Sequence, residues 1–307
     1  MYDVVDGPTM HTFVTVALDG LEFASYLFIV SVGLTVIFGV MRILNVAHGA
    51  VYGWGAYVAA IVIGWASAAA LPVWAYFVGI GLTSVVVGAA FGLIVYFAFV
   101  RRMEGQDEVI LLLLTFGLFL ALENLSLLVF GGTSHYSFAP VMALGRVTVG
   151  GTLRTNYGFS IIGLAALVGV ACWYFFDRTR TGRLIRVVIY DREVAETLGV
   201  NVNAMQCLTF IGGSVLAALG GAYIAPTISV QPGLGTQIIV MAFAVSVVGG
   251  LGSISGAMIG ALIIGLLRSV AIHFVPSLEL FVIYGVMAAV LLVRPEGLFP
   301  PPKARSI

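Results

Sequence analysis

Apolar residues run almost unbroken for about twenty positions at a time along this chain. Polar residues collect in the short stretches between the runs. A run of that length crosses a hydrocarbon layer as one helix. The pattern predicts spans at residues 20–41, 47–67, 72–100, 109–130, 157–176, 206–225, 237–250, 254–275 and 278–293. The expected fold is an all-α integral membrane bundle of about nine transmembrane helices. The short, glycine-rich seventh span and the broken start of the second leave eight or ten open. On this division residues 1–19 are an extracytoplasmic segment, 20–293 a membrane domain and 294–307 a cytoplasmic tail.

Composition agrees with the pattern. Of 307 residues, 61% are hydrophobic and only 9% charged, where soluble domains carry about 25% charged residues. The mean hydropathy is +1.11. No soluble domain fits in what remains, and a net charge of zero gives no reason to expect nucleic acid. Cys172 and Cys207 stand apart from each other and from histidine, so they read as packing residues, with no metal site. No Lys or Arg precedes Arg42, which argues against a secretory signal.

Positive charge sets the orientation. Arg101 and Arg102, the cluster Arg178, Arg180, Arg183, Arg186 and Arg192, and finally Arg294, Lys303 and Arg305 fall on alternate connections, which are therefore expected in the cytoplasm. The acidic N-terminal segment, with Asp3, Asp6, Asp19 and Glu22, is expected outside. So are loops 131–156 and 226–236, with Arg146 and Arg154 in mild conflict.

Thirty-eight glycines stand in the chain. Gly49/Gly53, Gly88/Gly92 and Gly252/Gly256/Gly260 recur at four-residue spacing, which lets helix backbones approach closely in a membrane. For Gly88/Gly92 plain packing suffices. The segments after Asn45 and after Val247 are both glycine-rich and open a span, as corresponding elements of two halves would around a pathway.

The connection at residues 177–205 differs from the others. Leu184, Val187, Val188, Val194, Ala195 and Leu198 recur at helical spacing, while Arg183, Arg186, Asp191, Arg192, Glu193 and Glu196 cover the other side. Gly199 closes the pattern as a helix terminator does. A topology-setting loop explains the arginines alone. An amphipathic element for docking a soluble partner explains the acidic residues and the apolar face as well.

Glu193-Val194-Ala195 followed by Gly199 resembles the Glu-Ala-Ala-x-x-x-Gly signature of importer permeases, with Val194 in place of the second alanine. The wider run Ile185 to Gly199 resembles the branched-chain amino acid permease family of ATP-binding-cassette importers, and so do Val248 to Ala257 and Arg294-Pro295-Glu296-Gly297-Leu298-Phe299. Gly33 to Gly49, ending Asn45-Val46-Ala47-His48-Gly49, is similar to the pattern of that family's H-type permease. The acidic N-terminal extension is a departure. The resemblance implies a type II-like importer permease in the bacterial inner membrane. It implies as partners a second, related permease, two ATPase subunits that hold ATP and magnesium, and a periplasmic binding protein. The chain itself needs no cofactor. It has no phosphate-binding loop of the nucleotide-hydrolase type, and its only lysine is Lys303 in a proline-rich tail.

Ionisable groups at membrane depth are rare and costly. Asn45, His48 and Gly49 either cap the second span near the cytoplasmic surface or line a pathway at a broken helix. Tyr52, Trp54 and Tyr57 follow them and read best as interface anchors, although Tyr52 is also a candidate pathway residue. Glu123 and Asn124 lie in the outer half of the fourth span. Glu123 is expected to pair with Arg268, with binding of a substrate ammonium as the alternative. Glu22, Gln237, His273 and Glu279 read as outer-surface groups. A gradient-driven carrier of small amino acids or amides is the rival function, but the docking loop would then be unexplained. A membrane enzyme would need clustered acid–base residues, which the four scattered histidines do not supply. Branched-chain amino acids are the substrates the resemblance implies, with urea or short amides as the alternative.

Overall fold

The computed structural model describes residues 10–103 and 105–299. Asp3, Asp6, Lys303 and Arg305 lie outside the described residues. In chain order the helices are α1 (Met10–Met41), α2 (Ala47–Ala68), α3 (Val73–Ala98), α4 (Glu108–Phe130), α5 (Ala139–Leu144), α6 (Asn156–Arg178), α7 (Arg180–Tyr190), α8 (Arg192–Thr197), α9 (Val202–Ile224), α10 (Leu234–Gly249), α11 (Ile254–Phe274) and α12 (Glu279–Val293). Short 3-10 turns at Val100–Met103 and Pro276–Leu278 follow α3 and precede α12, and an antiparallel hairpin, β1 (Arg146–Val149) and β2 (Thr152–Thr155), precedes α6.

Seven of these helices are long and apolar enough to cross a membrane, and α10 and the Phe281–Val293 part of α12 are shorter apolar helices. The total falls within the expected range. The first helix starts at Met10 rather than at residue 20, so residues expected in an outer segment continue the first span as helix.

Six helices begin on a side-chain cap. Asp107, Thr155, Thr179, Asp191, Asn201 and Ser253 accept hydrogen bonds from the backbone N–H groups that open α4, α6, α7, α8, α9 and α11. Capping satisfies donors that the helix itself cannot.

The centre of the bundle is α1, which is buried along most of its length from Ala24 to Ile37. It runs antiparallel to α11: a side chain on Gly20 would meet Leu266, and Ser269 Oγ donates to the Val16 carbonyl (2.8 Å). On its other side stands α9, which also packs against α2 and α3. These approaches are backbone to backbone. A Cβ on Gly88 would lie 2.4 Å from Val215 Cα, and one on Gly221 only 1.9 Å from the Tyr52 carbonyl oxygen. The Gly88/Gly92 spacing is thus a contact seam between α3 and α9. Thr35 Oγ1 donates to Ser246 Oγ across α1 and α10 (3.0 Å, buried). Thr35→Val is expected to cost about 0.6 kcal/mol, the typical value for such a bond in a membrane protein, and to lower the thermal midpoint in detergent slightly. A drop as large as a core cavity produces would show a different role for Thr35.

At the end of the bundle that carries the β hairpin, Arg154 pairs with Asp19. Of the two arginines that conflict with the charge rule, Arg154 thereby has its counter-charge in α1. His135 and Val230 exchange backbone hydrogen bonds (2.9 and 3.0 Å), tying the two loops at this end together. The opposite end carries α7 and α8.

Candidate functional site

Two regions draw the predicted residues together. The first is the junction of α1 and α2. After Met41 the chain turns back through Arg42, whose φ of +53° is unusual for a non-glycine residue. Residues 42–46 are not helical. His48 Nε2 then donates to the Val30 carbonyl (3.0 Å). Val30 stands eleven residues above the end of α1, roughly 16 Å at 1.5 Å per residue. The start of α2 is therefore about half a hydrocarbon layer deep, and its first turn, Ala47 to Ala50, is buried.

No side chain caps this buried helix start. The cap position is Val46, so Asn45 does not fill the capping role the sequence allowed. Thr115 of α4 takes over instead: its Oγ1 accepts from Val46 N (3.3 Å) and donates to the Leu44 carbonyl (3.0 Å). Asn45 is 2% exposed and His48 fully buried, yet Asn45 Oδ1 and His48 Nδ1 have no partner. Since Nε2 faces a carbonyl it carries the ring proton, which leaves Nδ1 as a free acceptor.

A second helix starts against the first. A Cβ on Gly49 would lie 2.6 Å from the Gly235 carbonyl oxygen, so the openings of α2 and α10 touch through their backbones. The α10 cap is Gly233, in the left-handed region at φ +88° and without a side-chain cap. Glu123 of α4 stands here. Its carboxylate faces the N–H groups of Gly233, Gly235 and Thr236. Oε1 is buried and completes no hydrogen bond of good geometry. The attraction is that of a charge for a helix amino end more than of a closed cap. The Tyr57 hydroxyl, within electrostatic reach of Glu123, is likewise buried and unpartnered.

These positions correct three expectations. Glu123 does not pair with Arg268. Arg268 pairs with Glu279 and lies 3.8 Å over the Phe23 ring, so Glu279 is a partner rather than a lone surface group. Tyr52 and Tyr57 are not interface anchors: they are 0% and 2% exposed, Tyr52 sharing a 2.5 Å hydrogen bond with Tyr26 and Tyr57 stacking on Phe130. Trp54 donates to the Leu122 carbonyl (3.0 Å) inside the bundle. The element that meets the start of α2 is the start of α10, whereas Gly256 and Gly260 form the tight α10–α11 contact and Gly252 lies against Gly39 of α1. Asn124 is exposed on α4 and donates to the Leu120 carbonyl (2.7 Å), away from Glu123's surroundings. Sequence reasoning missed Tyr26 and Thr115. Nothing local marks either, since each acts across helices.

The second region is α7 and α8. Gly182 sits so close to α6 that a Cβ would lie 2.0 Å from the Phe175 carbonyl oxygen. Ile185, Val188 and Ala195 are buried against the bundle, whereas Val194 and Leu198, expected on the same apolar face, are 47% and 70% exposed. Around them Arg183, Arg192, Glu193 and Glu196 are exposed. Arg192 pairs with Glu196 (2.9 Å), Arg186 with Asp177, and Asp191 accepts from Val194 N to cap α8. Gly199 ends α8 at φ +77°. The result is a small outward surface with an apolar centre and charges of both signs.

Residues 16–291 match a family model described as the permease component of the branched-chain amino acid transport system. The chain belongs to that family. The high-affinity branched-chain amino acid permease BraD of Pseudomonas aeruginosa is 28% identical over 308 residues, covering 98% of this chain and 100% of BraD. The corresponding LivH protein of Escherichia coli K12 is 29% identical, covering 94% and 96%. Among solved structures, PsaBC from Streptococcus pneumoniae in complex with Fab aligns at TM-score 0.48 and 15% identity, over 90% of this chain and 89% of that one. As a branched-chain permease the chain is a multi-pass membrane transport subunit, and the H-type resemblance drawn from Gly33–Gly49 agrees with these relatives.

Proposed function

We propose that the chain passes branched-chain and related hydrophobic amino acids across the bacterial inner membrane as one permease of an ATP-driven importer. The observation that carries the coupling half of this reading is the α7–α8 surface, where Val194 and Leu198 stand exposed among Arg183, Glu193 and Glu196. An apolar centre with a charged rim is what a docking interface requires. On this reading an ATPase subunit, holding ATP and magnesium, seats there. A second, related permease completes the membrane part, and a periplasmic binding protein delivers substrate at the hairpin end. The N-terminus then lies outside and the C-terminal tail inside.

The pathway half rests on the α2–α10 junction. Asn45, His48, Gly49, Tyr52 and Glu123 converge within or beside it, with Arg268 and Asn124 outside. With Gly49 against Gly235 the junction is closed. Alternating access requires it to part, and the unpartnered Asn45 Oδ1, His48 Nδ1 and Tyr57 hydroxyl then offer polar contacts to a passing ammonium or carboxylate. Weak, scattered contacts suit a subunit whose binding protein does the selecting. Glu123→Gln is expected to fold normally, losing about 1 kcal/mol of helix-end attraction, and to slow uptake several-fold. Unchanged uptake would remove Glu123 from the pathway.

The deciding experiment is co-purification of the tagged chain from its native membrane, followed by uptake in proteoliposomes. An ATPase subunit in the eluate and ATP-dependent leucine uptake, competed by isoleucine and valine but not by urea, are expected. A chain that purifies alone and moves leucine without ATP would be a gradient-driven carrier. Competition by urea or short amides alone would move the substrate class.

A further inference from the structure

At the α7–α8 end a cavity of about 210 Å³ opens between the end of α1, the turn after α3, the start of α4 and the first residues of α8 and α9. Arg42, Arg101 and Arg192 line it together with Gln106, Gln206 and Tyr96, against one carboxylate among the described residues, Glu108. Arg192 is engaged with Glu196. Arg42 and Arg101 form no ion pair among the described residues, and Arg101 has only the Phe97 ring beneath it at 5.8 Å. Gln206 and Tyr96, 5% and 1% exposed, form its floor, while Arg42 and Arg101 are exposed at its mouth. The carbonyl end of α1 offsets a fraction of the positive charge, and among the described residues the three guanidiniums outnumber Glu108 and the Glu196 that pairs with Arg192.

We propose that Arg42 and Arg101, assisted by Gln206 and the field of Arg192, bind a phosphate group. Guanidinium forks match phosphate oxygens and are weakly enough hydrated to hold them. The volume lies below the ~300 Å³ at which drug-sized ligand sites begin, so it admits a single phosphate group and its waters. Two sources share this chemistry. One is the headgroup of an anionic phospholipid, whose chains would lie along the exposed apolar residues Phe97, Val109 and Ile110 next to the recess. The other is free phosphate. Either way the anion bridges the α1–α2 linker to the first residue of α8, so its occupancy ties the start of the pathway to the docking surface. The inference stands on charge and shape and does not depend on the substrate of transport.

The test uses the full chain, delipidated in an uncharged detergent. Native mass spectrometry with added phosphatidylglycerol, and with phosphatidylcholine for comparison, reads lipid retention. Thermal unfolding with inorganic phosphate, against chloride at equal ionic strength, reads the free ion. The double variant Arg42→Gln/Arg101→Gln is expected to lose about tenfold in whichever response the wild type shows, as removal of two charge-assisted contacts implies. Arg146→Gln/Arg180→Gln, which removes two exposed arginines elsewhere, is expected to respond like wild type. Arg42→Lys/Arg101→Lys keeps the charge without the fork and is expected to fall between, which separates ligand loss from misfolding. Phosphatidylglycerol retained without a phosphate response assigns the lipid, and the converse assigns the free ion. A wild type that responds to neither probe, or a Gln variant that responds equally to wild type, overturns the site.

Discussion

Glu193→Arg is expected to leave the permease folded and to abolish binding of the ATPase subunit proposed to dock on α7 and α8. Glu193 is exposed in the first turn of α8, and its only local role is a favourable position at a helix amino end. Reversing that charge costs about 0.5 kcal/mol of helix stability, too little to unfold the protein. At an interface the effect is far larger. Setting a cation where the partner is built for an anion costs several kcal/mol. About 3 kcal/mol would weaken association on the order of a hundredfold. ATP-dependent uptake should fall to background, while the elution profile and thermal midpoint of the isolated chain stay near wild type. Val194→Asp, which spoils the exposed apolar centre without touching the cap, should act in the same direction. ATPase retained at wild-type stoichiometry by Glu193→Arg would place the docking surface elsewhere.

Gly221→Ala is expected to damage the fold itself. The added methyl would stand 1.9 Å from the Tyr52 carbonyl oxygen and 3.1 Å from Ala56 N, both backbone atoms of α2. No rotamer change relieves a backbone clash, so α2 and α9 must separate. The same crossing holds Gly55 against Ala218 and positions Tyr52 for its bond to Tyr26, so the displacement spreads. A cost of about 3 kcal/mol, the upper range of overpacking, is expected, with a lower thermal midpoint and poor recovery of monodisperse protein. Gly212 in the same helix meets nothing within 4 Å. Gly212→Ala should therefore stabilise by up to about 1 kcal/mol through helix propensity. If both variants melt together, close approach at Gly221 is not what holds α2 to α9.

The contrast between the two predictions mirrors what the chain discloses by itself. The span pattern and the α7–α8 element are local: apolar runs, the Asp191 cap and the Gly199 terminator are written in consecutive residues. Partnerships across the bundle are not. Arg268 reaches Glu279 because the turn at Pro276–Leu278 folds α12 back on α11, and equal depth in the membrane, the only clue available to a sequence, pointed to Glu123 instead. Tyr52 is buried because Gly220 and Gly221 of α9 let the helices close around it, and Tyr57 because Phe130 and His135 cover it, facts of packing that aromatic residues near a span end do not announce. Similarly, Asn45 and His48 looked like either a cap or a pathway element. The depth set by the His48–Val30 bond, and a cap position that falls on Val46, remove the surface-cap reading.

The borrowed cap at the start of α2 also constrains how the protein is made. Val46 N and the Leu44 carbonyl find their partner in Thr115, 69 and 71 residues further along the chain. Within hydrocarbon an unsatisfied backbone group costs several kcal/mol. As α1 and α2 leave the ribosome, the linker between them has no such partner, and it cannot settle at its final depth until α4 has been synthesised and inserted beside it. The first hairpin of this permease is therefore finished by its fourth span, and a nascent chain stalled before Thr115 should keep Ile43, Asn45 and Val46, buried in the completed protein, accessible to water-soluble reagents.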